Sequence, residues 1–198
     1  MHVALYGGSF DPPHNGHLAL CLFAVELLRI DRLIISVSIN PFKGRYGAAD
    51  EQRKQMASLF AGELSRVGIS AEVSGWELEK KQPSYTVDLI RYVRSVYPLD
   101  RLTLLIGEDS FREIRSWKSW EILPSLCDLA VFRRTSPEDH RENSSFPFSS
   151  GTVRLIDFDF PLSSTVIRER VAADMPVGDL LPSAIRHYIV KHGLYRKA

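Results

Sequence analysis

Val3-Ala4-Leu5-Tyr6-Gly7-Gly8-Ser9-Phe10-Asp11-Pro12-Pro13-His14-Asn15-Gly16-His17 stands near the start of the chain and decides how the rest is read. Val3 to Tyr6 is an apolar run long enough for one buried strand. Gly7-Gly8 at its end lets the backbone approach a bulky group closely, while Pro12-Pro13 stiffens the turn and forbids helix before His14. From Asn15 onward Leu18, Cys21, Leu22, Val25 and Leu28 recur at helical spacing, which puts His14 and His17 about one turn apart at a helix N-terminus. Both imidazoles can then face one bound group.

A helix N-terminus carries unpaired backbone donors and about half a positive charge, so after a glycine-rich turn it favours phosphate. Two imidazoles without an acid to balance them make a polyphosphate the natural ligand, and Gly16 between them keeps a side chain out of its path. The other readings of the stretch are weaker. A zinc site needs further ligands, yet His140 sits in a polar loop, His187 and His192 lie near the C-terminus, and the two cysteines do not cluster. No metal ligands are therefore assigned. Ser9 as a hydrolase nucleophile lacks the glycine that follows serine in a nucleophile elbow.

With 198 residues, 44% of them hydrophobic, the chain can form a sizeable core, so one domain over 1–198 is expected. Lys+Arg 25 against Asp+Glu 24 leaves a net charge of +1, which argues against a general nucleic-acid or membrane surface and makes any anion site local. Cys21 on the apolar face of the first helix and Cys127 before an apolar strand read as buried thiols, consistent with a reducing compartment. The start of the chain reads as a strand, and no stretch approaches the roughly 18 apolar residues of a membrane helix. A cytoplasmic protein is expected, and a homo-oligomer stays open.

Outward from the first stretch, apolar runs alternate with helical patterns, which predicts an α/β fold built on a mostly parallel sheet. Strands are expected at Val3–Tyr6, Leu33–Ile39, Ile69–Ser74, Leu102–Ile106, Leu129–Phe132 and Val153–Ile156. Helices are expected over Ala49–Leu64 with Asp50 as a candidate N-cap, from about Ser84 to Val96, over Ser164–Ala173 and over Ser183–His192. Asp109–Leu126 reads as one or two short helices broken near Pro124, and Arg134–Gly151 as a long exposed loop. The chemically informative turns, Gly7–His17, Asn40–Gly47, Gly107–Asp109 and Arg133-Arg134, all follow strands. Ligands of open α/β sheets collect at such carboxyl ends.

The string Gly-Gly-Ser-Phe-Asp-Pro-Pro-His-Asn-Gly-His resembles the signature of the His-x-Gly-His nucleotidyltransferase superfamily. Its Gly-Gly-x-Phe-Asp-Pro-x-His form is similar to the nicotinate-nucleotide adenylyltransferase family. Ser163-Ser164-Thr165-Val166-Ile167-Arg168, which alone reads as a helix cap with a solvated arginine, resembles the family element that closes on the ATP triphosphate. The resemblance implies that Ser164, Thr165 and Arg168 contact phosphate, a role that suits the planar fork of a guanidinium. Gly107-Glu108-Asp109 resembles the family's Gly-x-Asp turn, which implies nucleotide contacts from Gly107 and Asp109. Trp117 matches the tryptophan that stacks on a pyridine ring, and Tyr85-Thr86 within Pro83-Ser84-Tyr85-Thr86 matches the element that shapes the mononucleotide pocket; Trp120 is left to the core. The ending from Leu181-Pro182 to Gly193-Leu194-Tyr195 also matches, so the resemblance runs nearly end to end. It departs at Asn40-Pro41-Phe42-Lys43-Gly44, where the family has Pro-His-Lys; Lys43 can supply the cation, but no histidine precedes it.

The resemblance implies a Rossmann-like sheet with helices on both faces and a C-terminal helical segment, and the reaction of ATP with nicotinate mononucleotide to give deamido-NAD and pyrophosphate. Expected roles are His14, His17 and Arg168 on the triphosphate and transition state, with Lys43 beside them, and Gly7, Gly8, Ser9 and Phe10 as a backbone cradle. Magnesium is expected to arrive with ATP, because the sequence shows no carboxylate cluster to hold it. Competing readings are nicotinamide mononucleotide as acceptor, a pantetheine-phosphate or cytidylyl transferase of the same superfamily, and a non-catalytic nucleotide-binding module. A class I aminoacyl-tRNA synthetase is disfavoured, since nothing resembles its KMSKS loop.

Overall fold

The computed structural model describes residues 1–39, 47–80, 84–133 and 152–196. Six strands, β1 (His2–Gly8), β2 (Arg32–Val37), β3 (Ala71–Ser74), β4 (Arg101–Gly107), β5 (Asp128–Arg133) and β6 (Val153–Asp157), pair in parallel in the order β3-β2-β1-β4-β5-β6. The helices are α1 (Asn15–Leu28), α2 (Asp50–Arg66), α3 (Trp76–Glu79), α4 (Thr86–Val96), α5 (Glu108–Arg112), α6 (Leu123–Leu126), α7 (Ser164–Ala172) and α8 (Ser183–Lys191). This is the doubly wound, Rossmann-like arrangement expected from the alternation of runs, and every pairing in it is parallel.

Parallel strands are covered on both faces and so read as unbroken apolar runs. In β1, Val3, Ala4 and Leu5 are all fully buried, but alternation sends them to different cores. Ala4, Leu33, Ile35 and Leu105 meet Cys21 and Ala24 of α1, Met56, Phe60 and Leu64 of α2, and Ile167, Ile185 and Ile189 of the C-terminal helices. Val3, Leu5, Ile34, Leu104 and Ile106 meet Val87, Ile90 and Val93 of α4, together with Ile114 and Leu123. Both cysteines are buried and free, and burial raises both thiols, that of Cys127 to about 12.

Two local expectations change, and one short helix was not foreseen. Asp50 is the first residue of α2 rather than its cap; Ala49 is the cap, its N–H is taken by Gln52 Oε1 at 3.0 Å, and the Asp50 carboxylate turns inward to Arg53 at 2.7 Å. Pro124 lies in the first turn of α6, where a missing N–H costs nothing, so it starts a helix instead of breaking one. The four-residue α3 is too short to show a period in the sequence. The expected loop from Arg134 to Gly151 lies outside the described residues.

The chain leaves β1 for β2 and β3, then crosses back to β4 on the other side, so the strand order reverses between β1 and β4. Ligand crevices of doubly wound sheets open at the carboxyl ends of such neighbours. Phe60 is fully buried beneath this point, 6.1 Å from the ring of Phe10 and 6.5 Å from that of His17. Phe60→Ala is expected to destabilise the protein by about 3–5 kcal/mol, read from urea denaturation; a loss below about 1 kcal/mol contradicts a packed floor here.

Candidate active site

The turn after β1 holds a cis Asp11–Pro12 peptide and delivers His14 as the N-cap of α1 in extended conformation. His14 Nδ1 accepts from the N–H of Gly16 at 3.1 Å and of His17 at 3.3 Å, while the N–H of His14 donates to His17 Nδ1 at 3.1 Å. This is a reciprocal capping box in which two histidines replace the usual hydroxyl and carboxylate. The rings stack with centroids 3.7 Å apart. Because both Nδ1 atoms accept, each neutral ring carries its proton on Nε2. The helix cap thus fixes the tautomer of both imidazoles, with the proton of each on Nε2. Burial pushes His14 down to about 4, so it is a neutral donor at neutral pH.

Beneath the imidazoles lies an aromatic floor. His17 is 5.4 Å from Phe10 and 6.0 Å from Tyr6 between ring centroids. Phe10 sits in the left-handed region at φ 46, and its ring folds back over the strand end so tightly that a Cβ on Gly8 would come within 3.2 Å of it. Gly8 is needed for that close approach.

Asp11, 2% exposed, is the acid that the sequence reading of the turn overlooked. Its carboxylate accepts from the N–H groups of Gly47 at 2.7 Å and Ala48 at 3.0 Å and from the Tyr195 hydroxyl at 2.8 Å. Its backbone carbonyl accepts from Arg168 Nη1 at 2.8 Å, and Arg168 Nη2 donates to Thr165 Oγ1 at 3.2 Å. Ser164 Oγ donates to the Pro12 carbonyl at 2.9 Å, so the start of α7 is fastened directly to the histidine turn. From α2, the fully buried Arg53 donates to the carbonyls of Ser9 and Ser38, both at 2.9 Å, and joins the ends of β1 and β2.

A cavity of about 640 Å³ opens above these groups. Gly8, Ser9, His14, His17, Gly107, Asp109, Ser164, Thr165 and Arg168 all line it, so the two distant segments read from the sequence do meet. Several expected residues stand elsewhere. Phe10 is a core residue and Gly7 does not line the cavity; the side chain of Ser164 is turned to Pro12. Tyr85, Thr86 and Trp117 do not line it either: Tyr85 and Trp117 are half-buried against the second core, with Lys118 Nζ 4.6 Å over the Tyr85 ring. Trp120 packs there too. Lys43 lies outside the described residues.

Other residues of the site carried weak signals in the sequence. Arg53 occupies the apolar face of α2 with Met56, Phe60 and Leu64, and a charge on such a face is the mark of a buried structural ion. Phe132, Phe158, Phe160 and Leu162 form an apolar wall of the cavity that no motif flagged. Glu77, 5% exposed, accepts from Ser36 at 3.2 Å and from Ser84 at 2.7 Å, and burial raises its carboxyl above the usual range. It joins the end of β2 to the segment that leads into Tyr85-Thr86.

A parallel sheet covered on both faces, whose switch point carries a histidine cradle, a glycine turn and a guanidinium, is built to take the phosphates of a nucleotide. Residues 5–170 match the family model described as cytidylyltransferase-like. A protein of Chlorobium phaeobacteroides named "Probable nicotinate-nucleotide adenylyltransferase" is 57% identical over 198 residues, covering 99% of this chain and 100% of that one. One of Pelodictyon phaeoclathratiforme with the same name is 53% identical, covering 98% and 92%. The solved Plasmodium falciparum nicotinic acid mononucleotide adenylyltransferase complexed with NaAD superposes with a TM-score of 0.76 at 19% identity, over 98% of this chain and 97% of that one, which speaks for the fold. The chain belongs to the cytidylyltransferase-like family and, within it, to the nicotinate-nucleotide adenylyltransferases.

The lowered His14 carries a stability consequence. An unfolded chain takes up its proton near 6.5, whereas folded His14 resists protonation until about 4. Its contribution is therefore fully present above pH 6.5 and is lost as pH falls through that window, by at most about 3 kcal/mol. His14→Asn keeps a capping side chain without the titration, so the stability difference between pH 7 and pH 4 is expected to be smaller in that variant. Identical pH slopes in chemical denaturation contradict the assignment.

Proposed function

We infer that this chain transfers the adenylyl group of ATP to nicotinate mononucleotide, giving deamido-NAD and pyrophosphate, a step of NAD biosynthesis. One observation carries the reading: a single cavity gathers two neutral imidazole donors, the N-terminal turns of α1 and α7, and the Arg168 guanidinium, all suited to a triphosphate. The nearly full-length relatives, named for that activity, support it.

A phosphate monoester has its second pKa near 6, so the attacking phosphate is already mostly dianionic at neutral pH. The reaction then needs alignment of two anions and relief of charge on the α-phosphate and the leaving pyrophosphate, which is positioning and electrostatics. His14 and His17 supply Nε2–H donors of fixed orientation to the triphosphate and transition state. Arg168 supplies positive charge at the β- and γ-phosphates, with Lys43 proposed as a second cation. The backbone of Gly8 and Ser9 and the N–H groups of Ser164 and Thr165 line the phosphate path, and the Thr165 hydroxyl steadies Arg168. Gly107 and Asp109 face the nucleotide from the end of β4, and the wall of Phe132, Phe158 and Phe160 offers a surface for a flat base. Tyr85, Thr86 and Trp117, on the other face of the sheet, are proposed to shape the acceptor's pocket, with Trp117 against its pyridine ring.

Magnesium bound with ATP would neutralise phosphate charge. Among the described residues no three His, Cys, Asp or Glu side chains gather as a metal site, the Asp11 oxygens are occupied, and Glu108 pairs with Arg112 at 3.0 Å. These donors fit an ion held mainly by phosphate and water, as magnesium's slow dehydration favours. No described helix is long and apolar enough to cross a membrane. With the near-zero net charge, the proposal is a cytoplasmic enzyme of one domain, acting without nucleic-acid or membrane partners and open to homo-oligomer formation.

His17→Ala is expected to lower kcat by about 100-fold, the usual loss of one preorganised donor; an unchanged kcat removes His17 from its role. In a competition of the two mononucleotides with ATP and magnesium, nicotinate mononucleotide is expected to be preferred in kcat/KM by about tenfold or more. Faster pyrophosphate release with nicotinamide mononucleotide or pantetheine phosphate overturns the choice of acceptor.

A further inference from the structure

The chain ends α8 with a turn through Gly193, at φ 60, and Leu194, whose N–H donates to the Ile189 carbonyl at 3.0 Å and whose side chain is buried. Tyr195 follows at φ 65, a left-handed conformation that a bulky residue rarely adopts unless its surroundings impose it. What imposes it here is a contact spanning nearly the whole chain: the phenol donates to Asp11 Oδ1 at 2.8 Å. Burial and the adjacent Asp11 carboxylate raise the phenol far above its ordinary range, so it is a donor at every working pH.

Asp11 Oδ2 stands 4.0 Å from Arg168 Nη1, a loose ion pair at its outer limit and too long for a hydrogen bond, and the guanidinium's N–H groups are turned to the neutral Asp11 carbonyl and to Thr165 instead. The carboxylate is held in that pose by three donors, Gly47 N–H, Ala48 N–H and the Tyr195 hydroxyl. Gly47 is wedged between the two side chains concerned: a Cβ there would lie 2.8 Å from Arg168 Cδ and 2.9 Å from Tyr195 Cε1. A guanidinium in direct ion pairing with a buried carboxylate is a poorer partner for phosphate, because its charge is already answered.

We propose that Tyr195 is a positioning residue of the active site, holding the Asp11 carboxylate back from Arg168 so that the guanidinium keeps its charge for the ATP phosphates. The proposal rests on the reading of Arg168 as a phosphate contact. Without the hydroxyl, Asp11 Oδ1 keeps only the Ala48 N–H, and the carboxylate, less firmly held, can turn so that an oxygen moves in from 4.0 Å to hydrogen-bond distance of Arg168 Nη1 and competes with the ligand.

The test is steady-state kinetics of Tyr195→Phe, alone and combined with Arg168→Lys, on folded protein. Tyr195→Phe is expected to lower kcat/KM for ATP by about tenfold with the KM for nicotinate mononucleotide unchanged. In the Arg168→Lys background the same change is expected to add less than about twofold, because residues acting as a unit are non-additive. Gly47→Ala crowds Arg168 without removing a hydrogen bond and is expected to give the same ATP-selective loss, which keeps the test open should Tyr195→Phe not fold. Wild-type kinetics for folded Tyr195→Phe (or, should that variant not fold, for Gly47→Ala), losses shared equally between ATP and acceptor, or additive losses in the double variant each overturn the proposal. Wild-type protein that releases no pyrophosphate with ATP and the acceptor overturns the underlying reading first, and this inference with it.

Discussion

A carboxylate buried at the end of the central strand is the constraint from which the rest of the site follows. Asp11 is almost wholly out of water, and an ionised carboxylate there must be answered by donors close at hand. The donors come from the approach to α2 and from the last described turn of the chain, while its own carbonyl is engaged by α7. Satisfying this one group requires the α2, α7 and α8 regions to converge on the first loop. The helices of the first core are thereby tied, by polar contacts as well as apolar packing, to the place where β1 ends.

The histidine pair shows a second economy. In most capping boxes the side chains that satisfy the first helical N–H groups have no further task. Here the cap and the proposed ligand donors are the same two rings, both lining the cavity: the acceptance at Nδ1 that starts the helix decides which nitrogen holds the proton. The resulting donors are uncharged, and burial keeps His14 so. Positive charge has to come from elsewhere, from helix N-termini and from Arg168, and this division suits a leaving group that gathers charge as the bond to the α-phosphate breaks.

The fold was largely legible because buried parallel strands and amphipathic helices leave plain periods, and the motif at the head of the chain lies where strand turns to helix. What stayed hidden were contacts without a local pattern. Asp11 is visible in the sequence, but nothing near it tells that its partners are Gly47, Ala48 and Tyr195, since hydrogen bonds between distant segments leave no spacing to read. Arg53 did leave a trace as a charge on the apolar side of α2. Asp50 has the composition of a cap, because aspartate is a common cap residue, yet its carboxylate bonds the buried guanidinium three positions on. The motif assigns only the backbone of Phe10 to the cradle; where its ring goes has no local signal, and it fills the floor under His17.

The residues proposed for ATP and those proposed for the acceptor pack against different faces of the sheet. The groups assigned to the triphosphate belong to the first-core side, whereas Tyr85 and Trp117 pack on the second. On the proposed roles, the two anions that must meet in line are approached from opposite faces of one rigid sheet, around the carboxyl ends of β1 and β4. Glu77 sits where the two sides communicate, bonded to Ser36 of β2 and to Ser84 beside Tyr85. Since β1 and β4 are adjacent strands, locked in register from His2↔Arg101 to Tyr6↔Leu105, the separation between the two half-sites is set by backbone hydrogen bonds rather than by flexible side chains. For a reaction that needs alignment more than acid–base chemistry, the sheet itself is then part of the catalytic apparatus.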